Sequence, residues 1–481
     1  MVNCARLIPF ALVLLAGCVK IPDDEACCML EQAPTVDIAV KAALETGAVV
    51  DGEYPPECWW EIFGDETLNS LVCRALSHSP DLKATEARVT MAFEEATVSR
   101  SRLFPSIGLN AGINWRYMGK NDFFRAYAPT IPGKVPEYLL NLDFQYEFDF
   151  WGKNSSLYRA RIGDARAKAA EYDAAKLILT TSVSSVYVQH AALIEKLRLL
   201  QSERENIKQL VELSRKRKEN MLDNEQQVLN SNDQLEIMQQ NILLTQEQVA
   251  LAEHLLKRLV GLGPDAHLQI EPSSKKSLPT IQVPRHLSSD LLALRPDLMA
   301  RIWLVESAAY RVGAARTEFY PRIDLCALGG LDSVFFSKLF TTGSLSSNIY
   351  PALHLPIFTA GRIKANLRAY EAEFHASIYD YNQTLLLAVQ EVADKIVSLQ
   401  KADEDLKIEA RLVQNRIENQ QLARLRFSNS LDSLDAVLYA QNQAIEEQIT
   451  QIGMEYEKRL ATIHLIRALG GGYCTEEIPY E

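Results

Sequence analysis

The sequence lacks an excess of basic residues. It carries 62 Asp and Glu against 50 Lys and Arg over 481 residues, a formal net charge of −12. Binding to the phosphate backbone of DNA or RNA requires clustered cationic side chains that displace counterions. The charge balance therefore predicts that nucleic acid is not a partner.

Long apolar runs are also missing. The one long uninterrupted run, from Leu7 to Gly17, has about half of the ~20 residues that a membrane-spanning helix needs. We therefore expect no transmembrane helix. Any crossing of a bilayer would have to use β-strands, the other structure that satisfies its backbone polar groups in lipid.

Motifs of enzymes and of cofactor sites are absent from the sequence. It contains no His-Glu-x-x-His, Gly-x-Ser-x-Gly, phosphate-binding loop or Cys-x-x-Cys pattern, and its 8 histidines are scattered singly. We predict no catalytic residue, no metal site and no cofactor. An enzyme is the least favoured class of function.

The N-terminus is typical of an exported protein. Arg6 and the apolar run after it resemble a secretory signal peptide, and Leu15-Ala16-Gly17-Cys18 resembles the bacterial lipobox. The sequence predicts a signal peptide over residues 1–17, lipidation of Cys18 and an extended lipidated segment over 18–60. An ordinary signal peptide with an incidental cysteine is the alternative. The spacing of the other cysteines does not decide any disulfide pairing.

Proline and glycine are nearly absent from two long segments. Residues 153–260 and residues 362–469 each contain no proline and one glycine. Apolar residues recur at coiled-coil spacing in both segments, and the remaining faces are polar. We predict two long helical hairpins that turn near residues 220–226 and 427–432, with arms of roughly 50 to 65 residues.

The chain is internally duplicated. Residues 80–111 and 296–327 align without a gap and are identical at eleven of 32 positions, far more than chance gives. Each half is therefore expected to fold as the same unit. The predicted domains are repeat 1, a linker, repeat 2 and a C-terminal tail, over residues 61–270, 271–290, 291–470 and 471–481.

Each repeat contains two segments in which apolar and polar residues alternate. The clearest runs from Tyr138 to Phe150 and places Phe144 and other apolar residues on one face, with acidic residues on the other. Alternation over about ten residues is the pattern of a transmembrane β-strand. The predicted membrane strands cover residues 106–118, 137–150, 322–333 and 345–358.

Four strands cannot close a barrel alone, because open sheet edges cannot face lipid and barrels have about eight strands or more. The sequence therefore predicts an α+β membrane protein that assembles as a homotrimer. Its twelve-stranded β-barrel would be continuous with a long α-helical barrel of coiled-coil hairpins. Asp143, Glu147 and Asp149 alternate with the apolar residues of their strand, so we expect them to face a water-filled lumen. Carboxylates there would favour cations.

Short motifs at the predicted junctions carry a family resemblance. They are Trp60-Glu61-Ile62-Phe63-Gly64-Asp65, Ser79-Pro80-Asp81-Leu82, Arg295-Pro296-Asp297-Leu298, Phe319-Tyr320-Pro321, Pro356-Ile357-Phe358 and Leu469-Gly470-Gly471-Gly472-Tyr473. With these motifs the chain resembles the outer membrane efflux protein family, the TolC-like and OprM-like channels, and specifically its lipoprotein branch. The resemblance runs from Cys18 to about Tyr473.

This resemblance implies a protein of the outer membrane with a helical part in the periplasm. It implies a passive exit duct for small molecules, driven by an inner-membrane pump through a periplasmic adaptor, and a gate at the hairpin tips. The residues expected at the tips are Arg217, Arg426, Asp432, Asp435 and Tyr439. Family members usually carry glycine at each tip, whereas this sequence has Met221 and Ser430.

Two other functions remain open at this stage. One is a periplasmic adaptor or scaffold lipoprotein with coiled-coil hairpins, and the other is an outer membrane duct for type I protein secretion. An adaptor carries one hairpin flanked by β-rich halves. The two hairpins of a duplicated plan therefore favour the channel.

Overall fold

The computed structural model describes residues 35–128, 130, 132–270, 281–284 and 295–471. The predicted signal peptide, Cys18 and most of the predicted linker and tail lie outside these residues. The chain divides into two compact units. The described parts of the first unit lie within Val89–Lys168 and Arg301–Tyr381, and those of the second within Leu30–Arg88, Ala169–Ala300 and Asn382–Glu481.

The N-terminal region and repeat 1 together contain the following elements. In chain order they are α1 (Asp37–Thr46), β1 (Val50–Asp51), a 3₁₀ helix (Trp59–Phe63), α2 (Glu66–His78), α3 (Pro80–Ser101), β2 (Ser106–Tyr117), α4 (Phe123–Tyr127) and β3 (Lys134–Phe148). The first hairpin consists of α5 (Lys153–Glu219) and α6 (Glu225–Leu259).

Repeat 2 has the same order of main elements. They are β4 (Gln282–Val283), α7 (Pro296–Thr317), β5 (Arg322–Ser333), β6 (Leu345–His354), α8 (Arg362–Ser428) and α9 (Leu434–Ala468). The helices α8 and α9 form the second hairpin. Two 3₁₀ helices, Phe336–Lys338 and Thr342–Ser344, lie between β5 and β6.

The arms of each hairpin are unequal in length. Both α5 and α8 have 67 residues, whereas α6 and α9 have 35 each. The prediction of arms of roughly 50 to 65 residues is therefore wrong for the two returning helices, and the long helices slightly exceed it. The returning helices are short because each hairpin turns well past the middle of its segment, at residues 220–224 and 429–433. They end at Leu259 and Ala468, and Gly261 and Gly470 then turn the chain with positive φ angles of 78° and 94°. A Cβ atom at Gly261 would lie 2.6 Å from the His78 carbonyl oxygen, so no other residue fits there without a shift.

Two strands end before their predicted boundaries. The strand β3 ends at Phe148, not residue 150, because the side chain of Asp149 instead accepts hydrogen bonds from the first turn of α5. The strand β6 ends at His354, not residue 358, where Pro356 lacks the N–H that a ladder needs. In addition, β3 begins at Lys134, which pairs with Tyr117.

The segment predicted as extended over residues 18–60 contains a helix. Residues Asp37–Thr46 form α1, which buries Val40 and Ala43 and ends at Gly47 in the left-handed conformation. Because these two apolar residues lie three positions apart, they share one helical face. The prediction of an extended segment is wrong for this part of the chain.

One described helix is long and apolar enough, over an 18-residue window of α5, to cross a membrane by length and composition. No transmembrane helix was expected from the sequence. At ~1.5 Å per residue α5 is about 100 Å long, several times the ~30 Å hydrocarbon core. Since 39% of the window is also buried inside the protein, we treat α5 as a packed hairpin helix.

The four long strands form one antiparallel sheet in the first unit, in the order β2-β3-β5-β6. Their register places the apolar positions of all four strands on the same face of the sheet. One row across the sheet consists of Ile107, Phe144, Ala327 and Ile349. The adjacent row consists of Gly108, Asp143, Leu328 and Asn348. Separate alternations in the sequence thus combine into one apolar face and one largely polar face.

Helix packing in the first unit depends on a small residue and a buried hydroxyl. A Cβ atom at Gly163 of α5 would lie 3.1 Å from the Trp303 carbonyl oxygen of α7. Beside it, Ser307 donates hydrogen bonds to Ala160 O at 2.9 Å and to Asp164 Oδ1 at 2.6 Å. Gly163, the single glycine of its hairpin segment, is explained by this close approach.

The motif from Trp60 to Asp65 forms a junction in the second unit. Trp60 and Phe63 are buried, and Gly64 takes a positive φ of 60°. Asp65 then caps α2, with Oδ1 accepting from Thr67 N at 2.9 Å. Its Oδ2 accepts from Tyr187 Oη of α5 at 2.6 Å. The aspartate therefore joins the start of α2 to the first hairpin.

Candidate functional site: the polar strand face and the hairpin tips

Asp143 lies on the polar face of the sheet, as the sequence predicts from its parity. Its Oδ1 accepts a hydrogen bond of 2.6 Å from Asn110 Nδ2 on β2. The cross-strand partner of Asp143 is Gly108, where a Cβ atom would lie 2.5 Å from the same oxygen. A glycine opposite the aspartate leaves the space that its carboxylate occupies.

Glu147 lies near the helix end of the same face, opposite Asp324 of β5. Two carboxylates side by side repel each other, and each has a cationic neighbour that reduces the repulsion. Lys153 Nζ lies 3.2 Å from Glu147 Oε1, and Arg322 Nε lies 2.9 Å from Asp324 Oδ2. Glu147 is therefore partly neutralised, which its sequence position did not indicate.

Asp149 has a different position from the one expected. It lies beyond the end of β3, and its two carboxylate oxygens accept hydrogen bonds from Asn154 N at 2.9 Å and Ser155 N at 2.8 Å. These amides are in the first turn of α5, where backbone donors lack helical partners. Asp149 is a helix cap, so we remove it from the residues expected to line a lumen.

The apolar face of the sheet is exposed in the single chain. The relative exposure of Trp115 is 72%, that of Ile349 is 71% and that of Leu345 is 74%. A contiguous apolar surface of this kind marks a face that contacts lipid or another chain. Both outer strands, β2 and β6, pair with one neighbour each among the described residues.

The hairpin tips contain the two non-glycine residues that the sequence analysis noted. Met221 and Ser430 have φ angles of 57° and 55°, in the left-handed region. The tips close with matching hydrogen bonds, from Leu222 N to Arg217 O and from Leu431 N to Arg426 O, both 2.8 Å. Each residue therefore occupies the conformation that favours glycine.

Four of the five predicted tip residues form ion pairs. Arg426 Nε lies 3.1 Å from Asp432 Oδ2, within the second hairpin. Arg217 Nη1 lies 3.2 Å from Asp435 Oδ2, which joins the first hairpin to the second. Tyr439, the fifth, is exposed on α9.

Asp223 also contacts the tip arginine, although it was not predicted from the sequence: its Oδ2 lies 3.4 Å from Arg217 Nε. The duplication could have identified it, because Asp223 follows Arg217 by six residues, just as Asp432 follows Arg426. The carboxyl of Asp435 is stabilised in its charged form. A hydrogen bond from the Ser433 side chain, followed by smaller contributions that include the Arg217 charge, lowers the pKa of Asp435.

Comparison with known proteins decides the family. The model of the family described as outer membrane efflux protein matches residues 71–262 and 287–471, most of the chain. The chain belongs to the outer membrane efflux protein family. The family assigns it the function of a channel in an efflux system and a location in the outer membrane.

Curated relatives are similar to this chain over nearly its whole length. The multidrug resistance outer membrane protein MdtP of Escherichia coli O6:H1 is 28% identical over 468 residues, covering 96% of this chain and 94% of the relative. The multidrug resistance outer membrane protein MdtQ of Escherichia coli O157:H7 is 29% identical over 479 residues, covering 96% of each.

Solved structures share the fold. The outer membrane protein VceC of Vibrio cholerae has a TM-score of 0.76 and 30% identity, covering 87% of this chain and 100% of that one. The Campylobacter jejuni CmeC outer membrane channel has a TM-score of 0.84 and 22% identity, covering 96% of each chain. The predicted fold class is confirmed: an internally duplicated α+β channel protein of the trimeric type, whose described residues include one sheet of four long strands.

Proposed function

We propose that this efflux channel is the exit duct for small molecules that an inner-membrane pump delivers through a periplasmic adaptor. The relatives named multidrug resistance outer membrane proteins support this substrate class. The two hairpins with closed, ion-paired tips support docking and gating at that end. Energy comes from the pump, because we predict no catalytic or cofactor-binding residue in the sequence.

The observation that carries the proposal is the two-faced sheet with open edges. A row of apolar side chains faces one way in all four strands, and carboxylates and amides face the other. In a trimer, β2 of one chain and β6 of the next would pair and remove both edges from lipid. The polar face would then enclose water, with Asp143 and Glu147 lining the lumen.

We also propose a gate and a lipid anchor. The contact between Arg217 and Asp435 holds the two hairpin tips of one chain together, and its release would let the tips separate. Cys18 would carry the acyl chains, which tether the protein but do not span the membrane. Changing Cys18 to Ser is expected to abolish incorporation of labelled palmitate and to leave trimers intact.

The duplication supports the proposed repeats over residues 61–270 and 291–470. The long helices have equal lengths, 67 and 67 residues, and so do the returning helices, 35 and 35. From Lys153 and Arg362 onward, equivalent residues are separated by 209 positions. This offset gives a direct way to compare the two hairpins residue by residue.

The experiment uses cells that lack their own outer membrane efflux channel. Expression of this chain with the adaptor and pump encoded in the same organism is expected to lower accumulation of a fluorescent dye substrate. Crosslinking in intact cells should recover the adaptor with the hairpin tips. Unchanged dye accumulation, with trimers present in the outer membrane and the adaptor and pump expressed, would contradict the proposal.

A further inference from the structure

A cavity of about 330 Å³ lies in the second unit, between α5, α6 and α9. Its lining includes Arg258 near the end of α6 and Arg467 near the end of α9, together with Ser182 and Ser185 of α5. The side chains of Leu255 and Leu259 add an apolar wall. The cavity therefore combines cationic, hydroxyl and apolar groups, and none of its lining residues is used in the channel function proposed above.

The two arginines are equivalent positions of the duplicated hairpins, separated by the offset of 209. In the second hairpin, Arg467 Nη2 donates a hydrogen bond of 3.2 Å to Glu391 Oε1 on α8. The residue of the first hairpin that corresponds to Glu391 is Ser182. The carboxylate that pairs with the arginine in repeat 2 is thus replaced by a hydroxyl in repeat 1.

The same difference occurs one turn further along α5, where Ser185 corresponds to Asp394 of α8. Ser182 Oγ donates to Ile178 O at 2.6 Å, and Ser185 Oγ donates to Thr181 O at 2.7 Å. Both hydroxyls therefore donate their hydrogen bonds to backbone carbonyl oxygens of α5 itself. Across the described part of the chain, no carboxylate forms an ion pair with Arg258.

Both basic and acidic groups lie near the cavity, and at His464 the charge of Glu391 opposes that of the basic groups. Burial, and after it the charges of Lys395 and Arg467, lowers the pKa of His464, which also lines the cavity. Arg467 is paired with Glu391, which also contacts Arg295, whereas Arg258 has no carboxylate partner among the described residues. An anion entering here would meet one unpaired guanidinium and a second, partly neutralised one.

We propose that this cavity binds a small organic carboxylate whose charged group pairs with Arg258. In repeat 2 the carboxylate of Glu391 on α8 pairs with Arg467, the equivalent of Arg258. In repeat 1 the corresponding residue is Ser182, which carries no charge. The aliphatic part of the ligand contacts Leu255 and Leu259. The site is a pocket formed within the helical unit.

The test uses the full-length protein in detergent and sodium hexanoate as the probe. Thermal unfolding and titration calorimetry are measured against sodium chloride of the same ionic strength. We expect hexanoate to raise the midpoint of unfolding by a few degrees and to bind with one site per chain. Arg258→Gln should reduce the affinity by at least tenfold, whereas Arg74→Gln, an exposed arginine of α2, should leave it unchanged.

A second variant separates ligand binding from general stability. Ser182→Glu introduces the carboxylate of repeat 2, so it should raise the midpoint of unfolding without ligand and abolish the effect of hexanoate. Equal stabilisation of all variants by hexanoate would overturn the proposal, as would no stabilisation beyond that of chloride. Inorganic phosphate is the competing probe, and phosphate binding as tightly as hexanoate would contradict the assignment of a carboxylate with an apolar part.

Discussion

Arg217 of the first hairpin lies 3.2 Å from Asp435 of the second. The two residues are 218 positions apart in the sequence, and their side chains are 41% and 29% exposed. An ion pair this exposed contributes about 0.2 to 1 kcal/mol to stability. A contact of that strength closes the tips and can still be broken when a partner binds.

Removing this contact should open the tips without unfolding the protein. For Arg217→Ala we expect a several-fold increase in single-channel conductance in planar bilayers and little change in the temperature of unfolding. The physical reason is that the lost ion pair with Asp435 joins the two hairpins and is partly exposed to solvent. High salt should raise the conductance of the wild type toward that of the variant, because ions screen exposed charge pairs.

The second hairpin offers a matched control for this prediction. Arg426 pairs with Asp432 inside a single hairpin, at 3.1 Å. Arg426→Ala removes a similar charge at a similar tip but breaks no contact between hairpins. If both variants increase conductance equally, loss of positive charge explains the effect and the gate between hairpins is wrong.

The left-handed tip residues predict a gain in stability. A non-glycine residue in this conformation destabilises the folded state by roughly 1–2 kcal/mol. Replacing it with glycine removes this strain, but the greater freedom of glycine in the unfolded chain offsets about 0.5–1 kcal/mol of the stabilisation. Met221→Gly and Ser430→Gly should therefore each stabilise the protein by up to about 1 kcal/mol, measured by chemical denaturation. Met221→Ala retains the left-handed strain and should give no gain of this size.

Two glycines of β2 distinguish a needed space from a tolerated one. A Cβ atom at Gly108 would lie 2.5 Å from Asp143 Oδ1, whereas one at Gly112 would meet nothing within 4 Å. Gly108→Ala should lower the yield of heat-stable trimers or displace the Asp143 side chain. Gly112→Ala should assemble and conduct normally. Equal assembly and equal conduction of the two variants would contradict the register of β2 and β3.

A buried carboxyl in the helical unit predicts a pH dependence of stability. Burial, and then the charge of Glu446, raises the pKa of Glu203 to about 7, from an ordinary value near 4.5. Because the folded state binds this proton more tightly than the unfolded state, the stabilisation is complete below about pH 4.5 and is lost as the pH rises through 7.

The measurement is the temperature of unfolding between pH 5 and pH 8. Glu203→Gln should flatten the dependence, because an amide cannot ionise. Glu205→Gln provides the control, since the Glu205 carboxyl is fully exposed and hydrogen bonds from Lys208 and Arg204 lower its pKa. A wild type and a Glu203→Gln variant with the same slope would show that this carboxyl is not the source.

The sequence predicted those parts of the fold that depend on local periodicity. Alternation of apolar and polar residues located the four strands, and the scarcity of proline and glycine located the hairpins. The register could not be predicted, because it depends on which residues meet across strands, as Gly108 meets Asp143. The need for glycine at position 261 also depends on a distant contact, with the His78 carbonyl oxygen.

The candidate site shows the same limit. Parity placed Asp143 and Glu147 on the polar face, but it could not show that Lys153 pairs with Glu147. Asp149 shares that parity and is a helix cap, because the strand ends one residue earlier. Parity fixes the face of a residue only while the strand continues.

Facing in the membrane can be tested at two neighbouring residues. Phe144 lies on the apolar face and Asp143 on the polar one. Phe144→Lys should be poorly inserted, since a lysine on the lipid face near the midplane of the bilayer costs about 2–4 kcal/mol. Asp143→Lys should insert and alter conduction instead. Equal loss of both proteins from the outer membrane would reject the assigned faces.

The central claim is that the polar strand face of this efflux channel lines a water-filled pore. The reversal potential of the Arg217→Ala channel in a planar bilayer under a potassium chloride gradient tests it most directly. We expect preference for cations that increases at low salt, because Asp143 and Glu147 are present three times in a trimer and are screened over ~8–10 Å at physiological salt. Asp143→Asn should reduce this preference. A channel that prefers anions at low salt, or whose selectivity is unchanged by Asp143→Asn, would contradict the account.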